Sequence, residues 1–245
     1  MRAFLAILLG VTAAPVFADE LDGDYLYRVT TLRAAPGQFA ALLDWFASMR
    51  ASDDCVASLG GPPMLMRHTQ GDHWDLLVIT PLGSWDRHYS PSALRARERA
   101  ANRCAAFGKD RDLLAYEEDL FAFGPDPGLL GELHEANDFY HIEMFAAAPG
   151  KSDELFEQRR MENAYLAATG QTPNTIFRRA AGSDIDVFTI GYHASFEAFA
   201  TPSAATDEER EAAARSAGFR DRADISFYLR KLISSHHDTL AISVR

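Results

Sequence analysis

The sequence predicts an α+β fold made of two copies of one β-α-β-β-α-β unit, and three observations predict it. Three blocks recur in the same order in both halves, the blocks alternate with the period of strands, and amphipathic helical stretches separate them. The first block, YLYRVTTLRAAPG at 25–37, returns as DFYHIEMFAAAPG at 138–150, so that Tyr27 falls on Tyr140 and Val29 on Ile142. The second begins at Met64 (MLMRHTQGDHWDLLVITPLGSW) and returns from Thr175 (TIFRRAAGSDIDVFTIGYHASF), laying Arg67, Gly71 and Asp75 over Arg178, Gly182 and Asp186. The third is DLFAF from Asp119 and DTLAI from Asp238.

Each element follows from its local pattern. Residues 25–33 alternate and are rich in Tyr, Val and Thr, as a strand requires. Pro36 and Gly37 end it, after which Phe39, Leu42, Leu43 and Phe46 recur at helical spacing. Strands at about 64–69 and 73–80 come next, joined by a tight turn around Gly71. An alanine-rich, charged helix is expected over about 92–107, and a short helical segment with a last strand near 118–123 closes the unit. The second copy repeats the plan, with a helix around Leu155 and Phe156, a turn at Gly182, a helix over about 207–219 and a strand near 237–243. The run DEEREAAAR from Asp207 reads as a solvated helix face with acids at its start. The segment from Gly124 to Asp138 carries two prolines and three glycines. It sets the boundaries: first unit 24–124, linker 125–137, second unit 138–245.

This order is the ferredoxin-like, split β-α-β pattern: a four-stranded antiparallel sheet with both helices on one face. Its other face is left apolar and uncovered, so the two copies are expected to pack sheet to sheet as a barrel with helices outside. On the unit pattern, the A-P-G turn and the duplication, the chain resembles the dimeric α+β barrel superfamily, in particular its NIPSNAP-like and antibiotic-biosynthesis-monooxygenase-like branches. The resemblance implies small-molecule chemistry. That superfamily holds cofactor-free monooxygenases, decarboxylases and isomerases beside haem-using chlorite dismutases and haem-degrading enzymes, and the fold does not choose among them.

The first residues, MRAFLAILLGVTAAPVFADE, have a basic start, a short apolar run and small residues before Asp19, the pattern of a signal peptide over 1–18 cleaved after Ala18. A periplasmic or secreted destination is expected. The 24 basic against 35 acidic residues give a net charge of −11, which removal of Arg2 makes more negative by one. Nucleic-acid and anionic-membrane partners, which are held by dense basic patches, are excluded on that ground. No later segment reaches the roughly 20 apolar residues of a membrane span, and a soluble small-molecule binder, alone or as a homo-oligomer, is the expectation. Cys55 and Cys104 are the two cysteines, compatible with one disulfide in an oxidising compartment or with two buried thiols.

Alternation divides the first strand into Tyr27, Val29 and Thr31 against Arg28 and Thr30, and its repeat into Tyr140, Ile142 and Met144 against His141 and Glu143. The uniformly apolar set is expected to meet the helices, which would send Arg28, Thr30, His141 and Glu143 into the barrel. There His141 and Glu143 are candidates for proton transfer, or for a hydrogen-bonded structural pair. Arg28, with Thr30, is the candidate for gripping an anionic group. Arg67 with Asp75 and Arg178 with Asp186 read as cross-strand ion pairs, or as arginines that bind an anionic ligand. A metal reading lacks a third ligand, because His193 is expected on the opposite face, and no cofactor is expected, with haem ligation at His141 or at His236 or His237 a minor alternative. Trp45, Trp74 and Trp85 are expected between helix and sheet. Three function classes stay open: a cofactor-independent enzyme of monooxygenase or isomerase type acting on a small apolar or aromatic molecule held between the sheets, a non-catalytic ligand-binding barrel, and an interaction protein.

Overall fold

The computed structural model describes residues 20–245, so the expected export segment, 1–18, lies outside the described residues. The first unit comprises β1 (Tyr25–Ala34), α1 (Phe39–Arg50), α2 (Asp53–Leu59), β2 (Met64–Gln70), β3 (Leu76–Gly83), α3 (Trp85–His88), α4 (Pro91–Arg103) and β4 (Leu114–Gly124). A helix, α5 (Pro127–Ala136), occupies the expected linker. The second unit comprises β5 (Phe139–Ala147), α6 (Ser152–Ala168), β6 (Thr175–Gly182), β7 (Val187–His193), α7 (Phe196–Ala200), α8 (Asp207–Ser216), α9 (Asp224–Leu232) and β8 (Ile233–Ser243). α8 takes the place of the helix expected over about 207–219, and α9 that of the short helical segment expected before the last strand. The closing strands β4 and β8 start several residues earlier than their repeated core suggests.

All strand pairs are antiparallel, in the order β4-β1-β3-β2 within the first unit and β8-β5-β7-β6 within the second. The units then join edge to edge, β2 with β8 and β4 with β6, and the eight strands form one closed barrel. Closure leaves no unpaired edge, which is the reason a second unit completes the first.

Repeated glycines make the joints possible. Gly37 and Gly150 end the A-P-G turns at φ +78° and +74°, where a side chain would be strained. Gly71 and Gly182, at the hairpin tips, face a second constraint. A Cβ on Gly71 would collide with the carbonyl oxygen of Asp238, and one on Gly182 with that of Asp119. Each hairpin tip is therefore pressed against the closing strand of the other unit.

The barrel is filled. Tyr27, Val29, Leu77, Ile79, Tyr140, Ile142, Phe188, Ile190 and Tyr192 form one buried cluster inside it. Leu130 of α5 joins this cluster, and α5 seals one end. Tyr27 Oη donates to the Pro125 carbonyl (2.7 Å) and Tyr140 Oη to that of Asn137 (2.8 Å). Trp74 and its repeat Ile185 belong to the same cluster from the hairpins at the other end, where an opening of about 60 Å³ remains. Separate clusters lie between sheet and helices: Leu32, Leu42, Phe46, Leu65, Leu76 and Val78 in the first unit, and Phe145, Leu155, Ile176, Val187 and Leu232 in the second.

The expected facing of the strands is thereby reversed. The apolar set of β1 and β5 points into the barrel, and Arg28, Thr30, His141 and Glu143 point outward, toward the helices. The physical reason is that an eight-stranded barrel is just wide enough for side chains to fill, so a charge inside would have neither water nor partner. The helices cover the outer face only in part and leave room for water beside polar strand residues. A ligand held between the two sheets is excluded by the same packing.

Truncating Trp74, which is 1% exposed, to alanine is expected to destabilise the fold by about 3–5 kcal/mol in urea denaturation. Gly182→Ala should cost more than Gly37→Ala, since the first adds a collision to the backbone strain of a positive φ and the second meets open space.

Candidate functional site

The outward polar residues of the two first strands lie at equivalent places and in different surroundings. In the first unit, Arg28 is paired with Thr80 of β3 and Phe121 of β4, and Thr30 with Val78 and Asp119. Thr30 Oγ1 donates to Asp119 Oδ1 at 2.5 Å. α1 packs on the sheet through Leu42 and Phe46, and a cleft of about 260 Å³ opens over these strands beside its C-terminal half. Its walls are Trp45, Phe46, Met49, Leu59 and Phe107, its floor Arg28, Thr30, Val78 and Thr80, and Asp110 and Glu117 stand at its polar side. The buried Nε of Arg28 has no hydrogen-bond partner. Glu117, at the exposed rim, has its pKa raised above the ordinary glutamate value by partial desolvation and by the nearby carboxylates Asp119 and Asp110, against an opposing pull from Arg28. The sequence reading did not identify Glu117. Its face follows from parity with Asp119 once β4 is known to begin at Leu114.

The disulfide Cys55–Cys104 frames this cleft. It ties α2, which carries Leu59, to the residue capping the C-terminus of α4, just before Phe107 and Gly108. Trp45 Nε1 fixes the same segment by donating to the Ala106 carbonyl at 2.8 Å.

In the second unit the equivalent positions are filled. Glu143 lies opposite Asp238 in the ladder and His141 opposite Gly191 and Leu240. His141 Nε2 is 3.2 Å from Asp238 Oδ1. Burial disfavours the charged imidazole, but the hydrogen bond to Asp238 and the charges of Glu143, Asp238 and Glu162 outweigh it and hold the His141 pKa above the usual histidine value. Glu143 Oε2 accepts from Thr189 Oγ1 (3.3 Å) and Arg159 Nη1 (3.5 Å). Arg159 also pairs with Glu162 and lies over the Phe145 ring. Burial raises the pKa of Glu162, Arg159 opposes that, and Glu143 adds to it.

Other expected residues fall elsewhere. Asp75 sits opposite His68, one position from Arg67, and Asp186 opposite Arg179, one position from Arg178. The hairpins are therefore offset by one residue from the register that would pair the expected ions. Asp75 and Asp186 instead accept the backbone N–H of Ala34 and Ala147, each at 2.8 Å, and Asp186 pairs with Arg179. Arg178 lies over the Phe156 ring, and neither Arg67 nor Arg178 lines the first-unit cleft. His193 is paired with Phe139 and so shares the outward face of His141, contrary to the parity expected for it. His236 stacks on Phe145 and reaches Asp238, while His237 turns to the barrel mouth near Asp72. Gln158, Arg159 and Asn163 of α6 are buried, and Arg159 reaches Glu143, two residues from His141. Trp74 is in the barrel core and Trp85 packs on Tyr89 and Phe121, while Trp45 keeps its expected place between helix and sheet.

Replacing both cysteines by serine is expected to lower stability by about 4 kcal/mol, the chain-entropy value for a loop of this length, and to weaken any ligand of the first-unit cleft while leaving the second unit's cluster unchanged. Chemical denaturation and hydrogen exchange of residues 104–110 read the two effects.

No protein-family model matches the chain, and no curated protein matches it. Solved structures do. An anthrone oxidase-like protein aligns over 92% of this chain and 94% of its own at 14% identity and a TM-score of 0.56. A candidate monooxygenase from Fusobacterium nucleatum subsp. nucleatum aligns over 91% and 94% at 7% identity and a TM-score of 0.52. A second, from Lactobacillus acidophilus NCFM, aligns over 91% and 95% at 9% identity and a TM-score of 0.47. Identities this low speak for the fold alone. The chain has the fold of the dimeric α+β barrel superfamily, with both ferredoxin-like units carried by one polypeptide.

Proposed function

We propose that the protein is an exported small-molecule enzyme that holds an aromatic substrate with an acidic or oxygenated substituent in the first-unit cleft and acts on it by proton transfer, without a cofactor. The observation that carries this reading is the Arg28 side chain at the floor of an aromatic-walled cleft, its buried Nε without a partner. A desolvated guanidinium favours a carboxylate, phenolate or enolate oxygen, which it can hold through two parallel hydrogen bonds. Trp45, Phe46 and Phe107 offer faces and edges to a planar ring. Thr80, fully buried beside Arg28, adds a hydroxyl to the same end.

Glu117 supplies the base. A carboxylate whose pKa is raised matches the proton affinity of an acidic C–H or O–H better than an ordinary one. As it takes the proton, the charge left on the substrate oxygen meets Arg28. Returning that proton to a different carbon completes an isomerisation. Proton removal is also the step that prepares an electron-rich aromatic for reaction with molecular oxygen. The similarity to an anthrone oxidase-like protein is in keeping with either outcome.

Binding of benzoate and hydroxybenzoates, followed by calorimetry, is expected to weaken at least about ten-fold in Arg28→Met. Neutral amide analogues should bind both forms alike. Glu117→Gln should bind with little change and lose turnover. In the parent protein, turnover should fall as pH drops through a pKa above the usual glutamate range, since protonation removes the base. Equal binding by Arg28→Met and the parent would overturn the assignment.

A further inference from the structure

We propose that His141, Glu143 and Asp238 form a binding site for a divalent transition-metal ion on the outer face of the second unit, separate from the first-unit cleft. Each residue presents one donor atom, and the three atoms lie within 4.8 Å of one another. His141 Nε2 and Asp238 Oδ1 are already 3.2 Å apart, close to the roughly 3.4 Å that separates neighbouring ligands around a tetrahedral ion with bonds of about 2.0–2.1 Å. The backbone fixes the set: Glu143 faces Asp238 across the β5–β8 ladder, and His141 is two residues from Glu143 on the same face.

The supporting contacts leave the right atoms free. Thr189 and Arg159 bind Glu143 through Oε2, and His236 Nε2 binds Asp238 through Oδ2 at 3.1 Å. Glu143 Oε1 and Asp238 Oδ1 then remain for the ion, the arrangement in which outer groups orient metal ligands. Charge points the same way. Glu143 and Glu162 share one guanidinium, that of Arg159, and Asp238 adds a third carboxylate beside His141, a local excess of acidic groups that favours a cation.

The internal duplication provides an independent comparison. Asp238 repeats Asp119, and the two positions beside it differ: Arg28 and Thr30 in the first unit, His141 and Glu143 in the second. The aspartate is common to both units, and the two replacements turn a cation and a hydroxyl into the ligand types needed to complete a three-ligand set. One imidazole nitrogen with two carboxylate oxygens suits Zn²⁺, Co²⁺, Fe²⁺ or Mn²⁺ and disfavours Mg²⁺ and Ca²⁺, which prefer oxygen alone. Three protein ligands leave a position for water or an anionic ligand. Asp238, 55% exposed at its side chain, gives solvent access to it.

The test uses the full protein, stripped with a chelator and titrated with Co²⁺ by visible absorption and with Zn²⁺ by calorimetry. One ion per chain, with the ligand-field bands of low-coordinate Co²⁺, is expected. His141→Ala and Asp238→Asn should each weaken binding at least about ten-fold. Glu143→Gln, which keeps the side-chain shape and an oxygen to accept from Thr189 and Arg159, should weaken binding at least about ten-fold while the thermal transition is kept. Absence of Co²⁺ bands and Zn²⁺ heat at micromolar metal would overturn the site. So would affinity unchanged in the folded Asp238→Asn variant, or Mg²⁺ and Ca²⁺ binding as tightly as Co²⁺.

Discussion

The filled interior of the barrel is the constraint on which the rest of the structure depends. Eight strands enclose a space that side chains fill, and Trp74, Tyr27, Tyr140, Phe177 and Phe188 are the largest fully buried among them. Each tyrosine hydroxyl is costly there unless it finds a partner. Tyr27 and Tyr140 find theirs in the chain that links the units, and α5 is thereby drawn across the barrel end. Because the inside is committed to packing, Arg28, His141 and Glu143 face outward. Chemistry is left to the space between sheet and helices.

That outer space differs between two units of one design. In the first, the end of α1, Leu59 of α2 and the segment after α4 border an open cleft and are pinned by the disulfide and by Trp45. In the second, α6 lies close, and Gln158 and Arg159 fill the equivalent position with buried polar groups. Duplication supplies the barrel, which needs both copies. Divergence at two aligned strand positions, 28/141 and 30/143, then gives the copies different surface chemistry without touching the core. The repeated Gly71 and Gly182 show what could not diverge, since each admits the backbone of the opposite unit.

Much of this was legible in the sequence. The duplication, the strand periodicity and the A-P-G turns lead directly to the two units, because all three are local patterns repeated at matched distances. The pairing of polar residues on one strand face was also readable: Arg28 with Thr30, and His141 with Glu143. Which way that face points was not, because alternation separates two faces without saying which is buried deeper. The same ambiguity misplaced His193, whose neighbour Tyr192 lines the barrel. The ion pairs expected at Arg67 and Arg178 failed on the length of the hairpin loops, a one-residue matter that exchanges the partner of every side chain. Asp238 was visible as the repeat of Asp119, but its proximity to His141 depends on the β5–β8 pairing, which is a contact between distant segments.

The central claim is that a ligand of this protein lies between the first sheet and its helices, and not inside the barrel. A crystal soaked with 4-bromobenzoate, its bromine located by anomalous scattering, measures this directly. The account predicts a bromine peak among Trp45, Phe46 and Phe107 with the carboxylate on Arg28. A peak inside the barrel, or one confined to the second unit, would contradict it.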